Sequence, residues 1–505
     1  MENVTVVANV AHRPQILRRL AALNRRAAGA AELEWPPARP TWSGCLSLLR
    51  TVYRRLPIPP AQKLWLRNRL LRAPRAAPAR PESTLFFDET APGAAAKAAL
   101  SRRLCAFPLF SAADYRALHP DLAASGVDPL EHFVRDGVWE RRPFAHPETI
   151  RRRVEALGDV GAMEGEPSRA DLRGREIGIH VSTLGNFFMR EIADLLAADL
   201  AGAGAHVVRG DERCDPAARK RDCIIVAPHE FFLLGEGRGW ARGDIVASTI
   251  LYATEQPGTR WFRAGLPYVL ASRGVIESNQ QAWEVFRASG LPALFYFPGH
   301  APEPPAEPEA SLAGHPLVRA LPPAARGFDP ATDPWSARPI DIAYIGAESH
   351  RREAFLAGSA GFLAAHTCFI HNVRGHGTPL IAAGETDPRP SLNRYVCGRS
   401  KIVLNLHQDE AAYFEWHRIV VQGMWNGALV VSETCLPHPL FRPGTHYLEA
   451  PMAELPALLE WLLHAPAGQA MARRILDNAR SVLVSEASRA AMGARLAGFL
   501  TRHDH

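Results

Sequence analysis

Short apolar runs alternate with helically spaced segments over most of the chain, and they fall into two series. From Arg175, EIGIHVS, HVVRG, CIIVAPHEFF, IVASTILYATEQ, YVLASRGVIES and ALFYFPG read as strands. Between them, GNFF reads as a loop, MREIADLLAADLAGAG as a glycine-closed helix, and a further helix runs through Phe286. Six such runs predict a doubly wound parallel sheet. Proline then interrupts the periodicity over residues 301–337. A second series begins at Pro339 with IDIAYIG, a helix over 353–366, a strand over 367–370 and a loop rich in Gly and His. It continues through HYLEAP and a helix over 455–463, and from Gly468 the tail reads as two helical runs split near 481–485.

Residues 398–433, GRSKIVLNLHQDEAAYFEWHRIVVQGMWNGALVVSE, organise the second series. They read as strand, loop, helix, strand, which is one βαβ unit. Phe414, Ile419, Val420, Met424 and Trp425 form one apolar face of the helix, while Glu415, His417, Arg418 and Gln422 fall near its first turns and off that face. Ligands of open parallel sheets bind outside the carboxyl ends of the strands, where helix N-termini offer free N–H groups. The stretch is therefore a candidate anion site. Taken alone, Glu415 and Arg418, three apart, are equally an ordinary surface pair.

Residues 110–143, FSAADYRALHPDLAASGVDPLEHFVRDGVWERRP, predict a compact helical hairpin. Ser111 is the N-cap of a helix through Leu118, Gly126–Pro129 is a turn, and Pro129 starts a helix ending near Gly137. The organisation expected is a basic region at 1–85, opening with the strand NVTVVANV, and a helical module at 86–150. A Rossmann-like domain at 170–305, a Pro-rich connection at 306–337, a second Rossmann-like domain at 338–465 and C-terminal helices at 466–505 follow.

Length supports this division, since 505 residues exceed one core. Net charge is +6, but residues 1–80 hold 15 Lys and Arg against 3 Asp and Glu, so a basic arm precedes a mildly acidic body. Its Arg-rich segments at 48–55 and 63–75 read as packed helical faces, as a contact for anionic membrane, or as a nucleic-acid surface; nucleic acid is not the expected partner. Seven scattered cysteines without a CxxC pair fit a reducing, cytoplasmic setting. The N-terminus has no secretory pattern, and no run approaches the roughly 18 apolar residues of a membrane span. The expected location is the cytoplasm; packing or solvation is the first reading of the basic arm, and peripheral contact at the inner face of the membrane is the second.

Several chemistries are missing from the sequence. It contains no GxxxxGK[ST], GxGxxG or GxSxG motif and no zinc-type Cys/His spacing. His229-Glu230 opens an HExxH-like string that ends on Leu233, which removes a zinc protease. With no Asp-x-Asp to hold a cation, a bound diphosphate must be neutralised by protein groups, so neither metal nor cofactor is expected. Those groups follow the strands. Gly346 permits close backbone approach, with His350, Arg351 and Arg352 after it; Lys401 precedes IVLNL, and Asn405 and His407 lie at its end. In the first series, Glu255 after a strand is the leading candidate for a general base, followed by His229 and Glu230. Gly185 and Asn186, before the helix from Met189, would position an acceptor or phosphate. For each of these a structural role is the alternative.

Two resemblances sharpen the reading. The module, through Phe110, Asp114, Tyr115, His119, Pro120, Asp121, Gly126, Asp128, Pro129, Leu130, His132, Phe133 and Gly137, resembles a small helical module of bacterial polysaccharide-assembly glycosyltransferases. In it His132 reads as a structural hydrogen-bonding residue. Residues 338–465, through IDIAYIG with Arg351-Arg352, SKIVLNLH, FEWHR, VQGMWNGALVVSE and PLFRPGTHYLEAP, resemble the C-terminal domain of GT-B glycosyltransferases of the spore-maturation type. IESNQQAWEVFRASGLPALFYFPG, residues 276–299, is similar to the same group. This implies a nucleotide-sugar donor in the C-terminal domain and a glycan, lipid-linked or protein acceptor in the N-terminal one, with metal-independent transfer across the cleft. Arg351, Lys401 and Arg418 would stabilise the leaving diphosphate, and Glu415 and Gln422 would bind the nucleoside. Many relatives carry two glutamates eight apart where this chain has Phe414 and Gln422. The alternative is a catalytically degenerate GT-B-like binding or scaffold protein.

Overall fold

The computed structural model describes residues 4–8, 91–157, 171–298, 312, 314–373 and 389–503. Among them, twelve strands form two six-stranded sheets. β1 (Val4–Ala8) belongs to the second sheet. The first holds β2 (Glu176–His180), β3 (His206–Gly210), β4 (Asp222–Val226), β5 (Ile250–Ala253), β6 (Gly274–Glu277) and β7 (Ala293–Phe295), in the order β3-β2-β4-β5-β6-β7 and parallel throughout. β8 (Ile340–Ala347), β9 (Cys368–Val373), β10 (Ser400–Asn405), β11 (Leu429–Ser432) and β12 (Leu448–Glu449) complete the second, in the order β1-β9-β8-β10-β11-β12. Only β1 runs antiparallel there, pairing Val4 with Asn372 and Ala8 with Cys368. Every residue of β4 and β5 is buried, as expected for central parallel strands covered on both faces. These are two Rossmann-like domains, as the two strand series predict.

The module consists of α1 (Ala91–Cys105), α2 (Ala112–Leu118), α3 (Pro120–Ser125), α4 (Pro129–His132) and α5 (Pro147–Leu157). Ser111 caps α2, and Asp128 caps α4 by accepting from the N–H groups of Leu130 and Glu131. The helix begun at Pro129 does not stay α-helical to Gly137. Phe133–Gly137 form a π turn, the expected hairpin being several short helices. Tyr115 Oη bonds His132 Nδ1 at 3.0 Å, and a Cβ on Gly137 would fall 1.9 Å from that hydroxyl. The His, Tyr and Gly of the module are thus one packing unit. Leu104, Phe133 and Phe144 share a core with Phe262, Tyr268 and Phe286 of the N-terminal domain, and Arg103 donates to the carbonyls of Leu270 and Ser272.

In the N-terminal domain α6 (Phe187–Gly202) follows β2, α7 (Pro228–Phe231) follows β4, α8 (Arg260–Ala271) follows β5 and α9 (Gln280–Ala288) follows β6. Two runs expected to be strands are half helical. Gly243–Ala247 is a helical turn before β5, and the YVLA of YVLASRGVIES closes α8. A continuous apolar run looks the same in a buried strand and a buried helix.

In the C-terminal domain the helix expected over 353–366 is split into α10 (His350–Gly358) and a turn at Ala360–Leu363. α11 (Arg389–Gly398) precedes β10, and the Gly- and His-rich loop before it lies largely outside the described residues, as does the basic region apart from β1. The Pro-rich connection is partly core: Leu312, Val318, Leu321 and Ala325 are buried with Ile340, Ala343 and Phe369. After β12 come α12 (Leu455–His464), α13 (Pro466–Val484) and α14 (Arg489–Arg502). α14 crosses back onto the N-terminal domain, where Leu496 and Phe499 join the core around Ile192 and Leu196. Among the described residues no helix is long and apolar enough to cross a membrane.

The carboxyl-end loops of the two sheets meet. Tyr413 Oη donates to Pro257 O at 2.9 Å, His417 Nε2 lies 3.4 Å from Glu191 Oε2, and the rings of Phe188 and His417 are 5.8 Å apart. Residues just past β5 and β10 are thereby held facing each other, with α6 beside them.

Candidate functional site

The N-terminal half of the site is built by a sharp exit from β4. Ala227 sits at φ 55°, a left-handed conformation that costs a non-glycine residue roughly 1–2 kcal/mol. Its carbonyl accepts from the N–H groups of Glu230 and Phe231 at 2.8 and 2.9 Å, so the chain turns at once into α7 and carries His229 and Glu230 inward. Glu255 arrives from the end of β5, its Oε1 3.2 Å from His229 Nε2, and Glu230 Oε1 lies 3.9 Å from the same nitrogen. The loop after β2 closes the cluster. Asn186 donates to Glu230 through its backbone N–H at 2.9 Å and through its side-chain amide. A Cβ on Gly185 would lie 2.3 Å from Glu230 Oε2, so this close approach requires glycine. Gly185, Asn186, His229, Glu230 and Glu255, chosen from strand ends in the sequence, therefore form one cluster.

Its electrostatics follow from burial, with Arg260 only a minor opposing charge on Glu255. Burial pushes Glu230 up to about 7 against the opposing Asn186 hydrogen bonds, and burial followed by repulsion from Glu230 pushes Glu255 to about 7. Burial drives His229 down to about 3, so its ring is neutral, with Nε2 3.2 Å from Glu255 Oε1. Glu255 keeps 23 % side-chain exposure where His229 and Glu230 keep 4 % each, which makes it the acid that can meet a substrate. Near neutral pH such a carboxylate can take a proton from a hydroxyl.

The C-terminal half lies at the carboxyl ends of β8, β10 and β11. Ser349 caps α10 by accepting from Arg352 N, which fixes the first turn bearing His350, Arg351 and Arg352. Arg351 grips Glu433 through both terminal nitrogens and lies 3.4 Å from Glu410. Arg352 is fully buried; its Nε and Nη2 donate to Leu406 O at 2.9 and 2.7 Å, and its Nη1 to Ala347 O at 3.0 Å. Arg352 thus braces the loop after β10. Arg418 Nε lies 3.0 Å from Glu415 Oε2, and its Nη1 donates to Leu406 O. A Cβ on Gly346 would come within 3.2 Å of Arg418 Nη1 and 2.5 Å of Tyr344 Oη, so glycine makes room for the guanidinium.

Here burial is met by cations. Burial favours a neutral Glu415, but Arg418, His407 and Arg352 outweigh it and hold the carboxyl down at about 2. Burial also opposes charge on His407, whose ring is nonetheless carried up to about 10 by Cys435 and Glu415. His407 is fixed by its backbone N–H to Glu433 Oε1 at 3.0 Å and by Nε2 to Thr434 O at 3.1 Å. Two buried polar atoms here, Tyr344 Oη and Asn405 Oδ1, have no hydrogen-bond partner among the described residues, and His407 Nδ1 faces Glu415 Oε1 at 3.8 Å. Orphaned groups of this kind mark a place for a ligand or water.

Three expectations change. Lys401 stands at the amino end of β10, where it pairs with Asp341 at 2.8 Å; the parallel register puts that end away from the cleft, so Lys401 is outside the site. Asn405 is buried and its amide donates to Ser432 Oγ at 2.9 Å, tying β10 to β11. The expected helix through Arg418 and Gln422 is a π segment, His417–Gly423, ended by a 3₁₀ turn. A Cβ on Gly423 would fall 2.2 Å from Val430 Cγ2, so the segment is pressed onto β11 at that glycine. Gln422 is half-buried within it, and its side chain makes no hydrogen bond among the described residues.

Other residues were not singled out in the sequence. Glu433 follows the strand ALVVS as Glu255 follows its own strand, so the same signal was present. A cavity of 790 Å³, within the range of small-ligand pockets, opens beyond β11 and is lined by Cys435, Arg442, Tyr447, Glu449 and Arg495. Arg495 comes from α14, which no local pattern connects to this sheet. A second cavity of 280 Å³ borders Gln280, Glu284 and Pro437, away from the titratable clusters.

No family model and no curated protein matches the sequence. Among solved structures, the chain is similar to Anabaena Alr3699/HepE in complex with UDP and glucose, at 10 % identity over 65 % of this chain and 100 % of that one, with a TM-score of 0.38. It is also similar to a glycosyltransferase from Rickettsia africae ESF-5, at 9 % identity over 65 % and 98 % of the two chains, with a TM-score of 0.35. A UDP-N-acetylglucosamine 2-epimerase is similar at 8 % identity over 61 % and 95 %, with a TM-score of 0.32.

Proposed function

We propose that the protein is a glycosyltransferase of the GT-B type, moving a sugar from a nucleotide-sugar donor in the C-terminal domain to an acceptor hydroxyl presented by the N-terminal domain. The observation that carries this reading is the pairing of a carboxyl cluster raised to about 7, Glu230 and Glu255, with a cationic one, Arg351, Arg418 and His407, at the facing carboxyl ends of the two sheets. Sugar transfer needs these two functions together: a base where the acceptor loses its proton, and positive charge where the diphosphate leaves. Glu255 is the base, with burial and the neighbouring Glu230 setting its basicity. Arg418 and Arg351 meet the leaving diphosphate, and Glu415 holds Arg418 in place. No metal is required in this scheme, since the guanidinium groups supply the charge. The acceptor is a glycan, a lipid-linked sugar or a protein in bacterial surface-polysaccharide or glycoconjugate assembly, carried out in the cytoplasm at the inner face of the membrane.

A second reading, a non-catalytic binding protein, rests on two observations. Arg351 and Arg418 are already paired with Glu433 and Glu415, and Gln422 brings no charge to a ribose diol. Titration of the protein with a panel of nucleoside diphosphates, followed by turnover of the matching nucleotide sugars, separates the two. The enzyme gives saturable heat with one nucleotide and release of that nucleotide from its sugar. A binding protein gives the heat without release, and absence of both removes the donor site.

A further inference from the structure

On the far side of the C-terminal domain, three side chains converge without an assigned role. His366 Nε2 lies 3.1 Å from His464 Nε2 and 3.2 Å from Glu460 Oε2, and His464 Nε2 is 3.9 Å from Glu460 Oε1. Glu460 and His464 project four residues apart from the last turns of α12. His366 comes from the turn that enters β9 and is 5 % exposed. Its Nδ1 faces Phe362 O at 3.0 Å. A carbonyl only accepts, so Nδ1 carries the proton and the neutral ring leaves Nε2 bare, pointing at the other two groups. A proton from His464 answers one approach to that nitrogen. The carboxylate remains against a lone pair. A bare imidazole nitrogen, a second imidazole and a carboxylate meeting at one point suit a cation better than they suit one another.

We propose that His366, Glu460 and His464 form a surface site for a divalent transition metal ion, zinc above all. Zinc ligands at about 2.0–2.1 Å in tetrahedral geometry lie about 3.3 Å apart; the 3.1 and 3.2 Å separations match that edge, and the 3.9 Å one from His464 to Glu460 closes with a small rotation of those exposed side chains. His/His/carboxylate donors suit zinc, and the Nδ1 contact to a backbone carbonyl is the usual device that orients a metal-binding imidazole. The fourth position faces solvent, since Glu460 and His464 are 56 % and 60 % exposed. The ion would pin the turn before β9 to the end of α12. It lies at the amino end of β9, away from the cleft, so it stabilises the domain without entering the sugar-transfer chemistry.

The test is calorimetric titration of ZnCl₂ into the full-length, chelator-treated protein, alongside the double variant Glu460→Gln, His464→Ala. Both residues are exposed, so the variant folds. The expected result is one saturable equivalent whose affinity falls ~100-fold or more in the variant. Co²⁺ in place of zinc should give a tetrahedral visible absorption that the variant lacks. No saturable binding, or binding equal in the two proteins, overturns the site and leaves a proton-shared histidine pair.

Discussion

The two domains place charged side chains at the same station of the same fold and obtain opposite electrostatics. In the N-terminal domain, Glu230 and Glu255 are buried against a neutral histidine and a carboxamide, Arg260 opposes only weakly, and both are pushed up to about 7. In the C-terminal domain, Glu415 is buried against two guanidinium groups and an imidazole and is held at about 2. Burial raises all three carboxyls; the neighbours decide the outcome. A parallel sheet supplies the location, and the residues just past each strand supply the chemistry.

The largest break in the comparison is expected from Glu255→Gln, which keeps shape and removes the base. Turnover should fall ~10²–10⁴-fold in steady-state kinetics, with the fold retained by circular dichroism. Arg418→Ala attacks the other half; kcat should drop ~10²-fold or more, because positive charge is lost where the diphosphate departs.

The halves should also respond oppositely to pH. Glu230 and Glu255, raised from 4.5 to about 7, hold protons in the folded chain that the unfolded chain has released, so stability falls as pH rises from 4.5 through about 7. Glu415, lowered from 4.5 to about 2, contributes stability that is fully present above 4.5 and is lost as pH falls through about 2. Each full shift is worth on the order of 3 kcal/mol, and denaturant titrations across pH should resolve both slopes. Glu255→Gln removes part of the first slope and leaves the second.

The smallest effect sharpens the boundary of the site. Lys401→Met should leave kcat and KM within about twofold and cost under ~1 kcal/mol in unfolding, as for a partly exposed pair away from the cleft.

Lys401 also shows where sequence reading stops. It and His407 flank the same strand, but only the carboxyl end of a parallel strand faces the ligand side, and direction along the sheet had to be applied residue by residue. Asn186, Glu230 and Glu255 were legible because each follows a β-rich run. Glu433, directly after ALVVS, obeys the same rule. Helix and strand were confused where apolar residues ran on without a break, as at the end of α8 before β6. The π segment at His417–Gly423 has no signature in a 3.6-residue period, and the close approach of Gly423 to Val430 of β11 is a contact between elements that local pattern does not encode. Likewise, α14 brings Arg495 to the cavity beyond β11 through a crossing between domains, which local pattern does not encode.

The dependence of sugar transfer on pH, compared between the native chain and Glu230→Gln, tests the central claim most directly. Turnover should rise through an apparent pKa near 7 as Glu255 ionises, and the variant should rise at lower pH, because its neighbour no longer repels the charge. Turnover that is flat from about pH 5 to about pH 8, the range that brackets neutrality, or a rise that Glu230→Gln leaves in place, would contradict the assignment of this acid pair as the base.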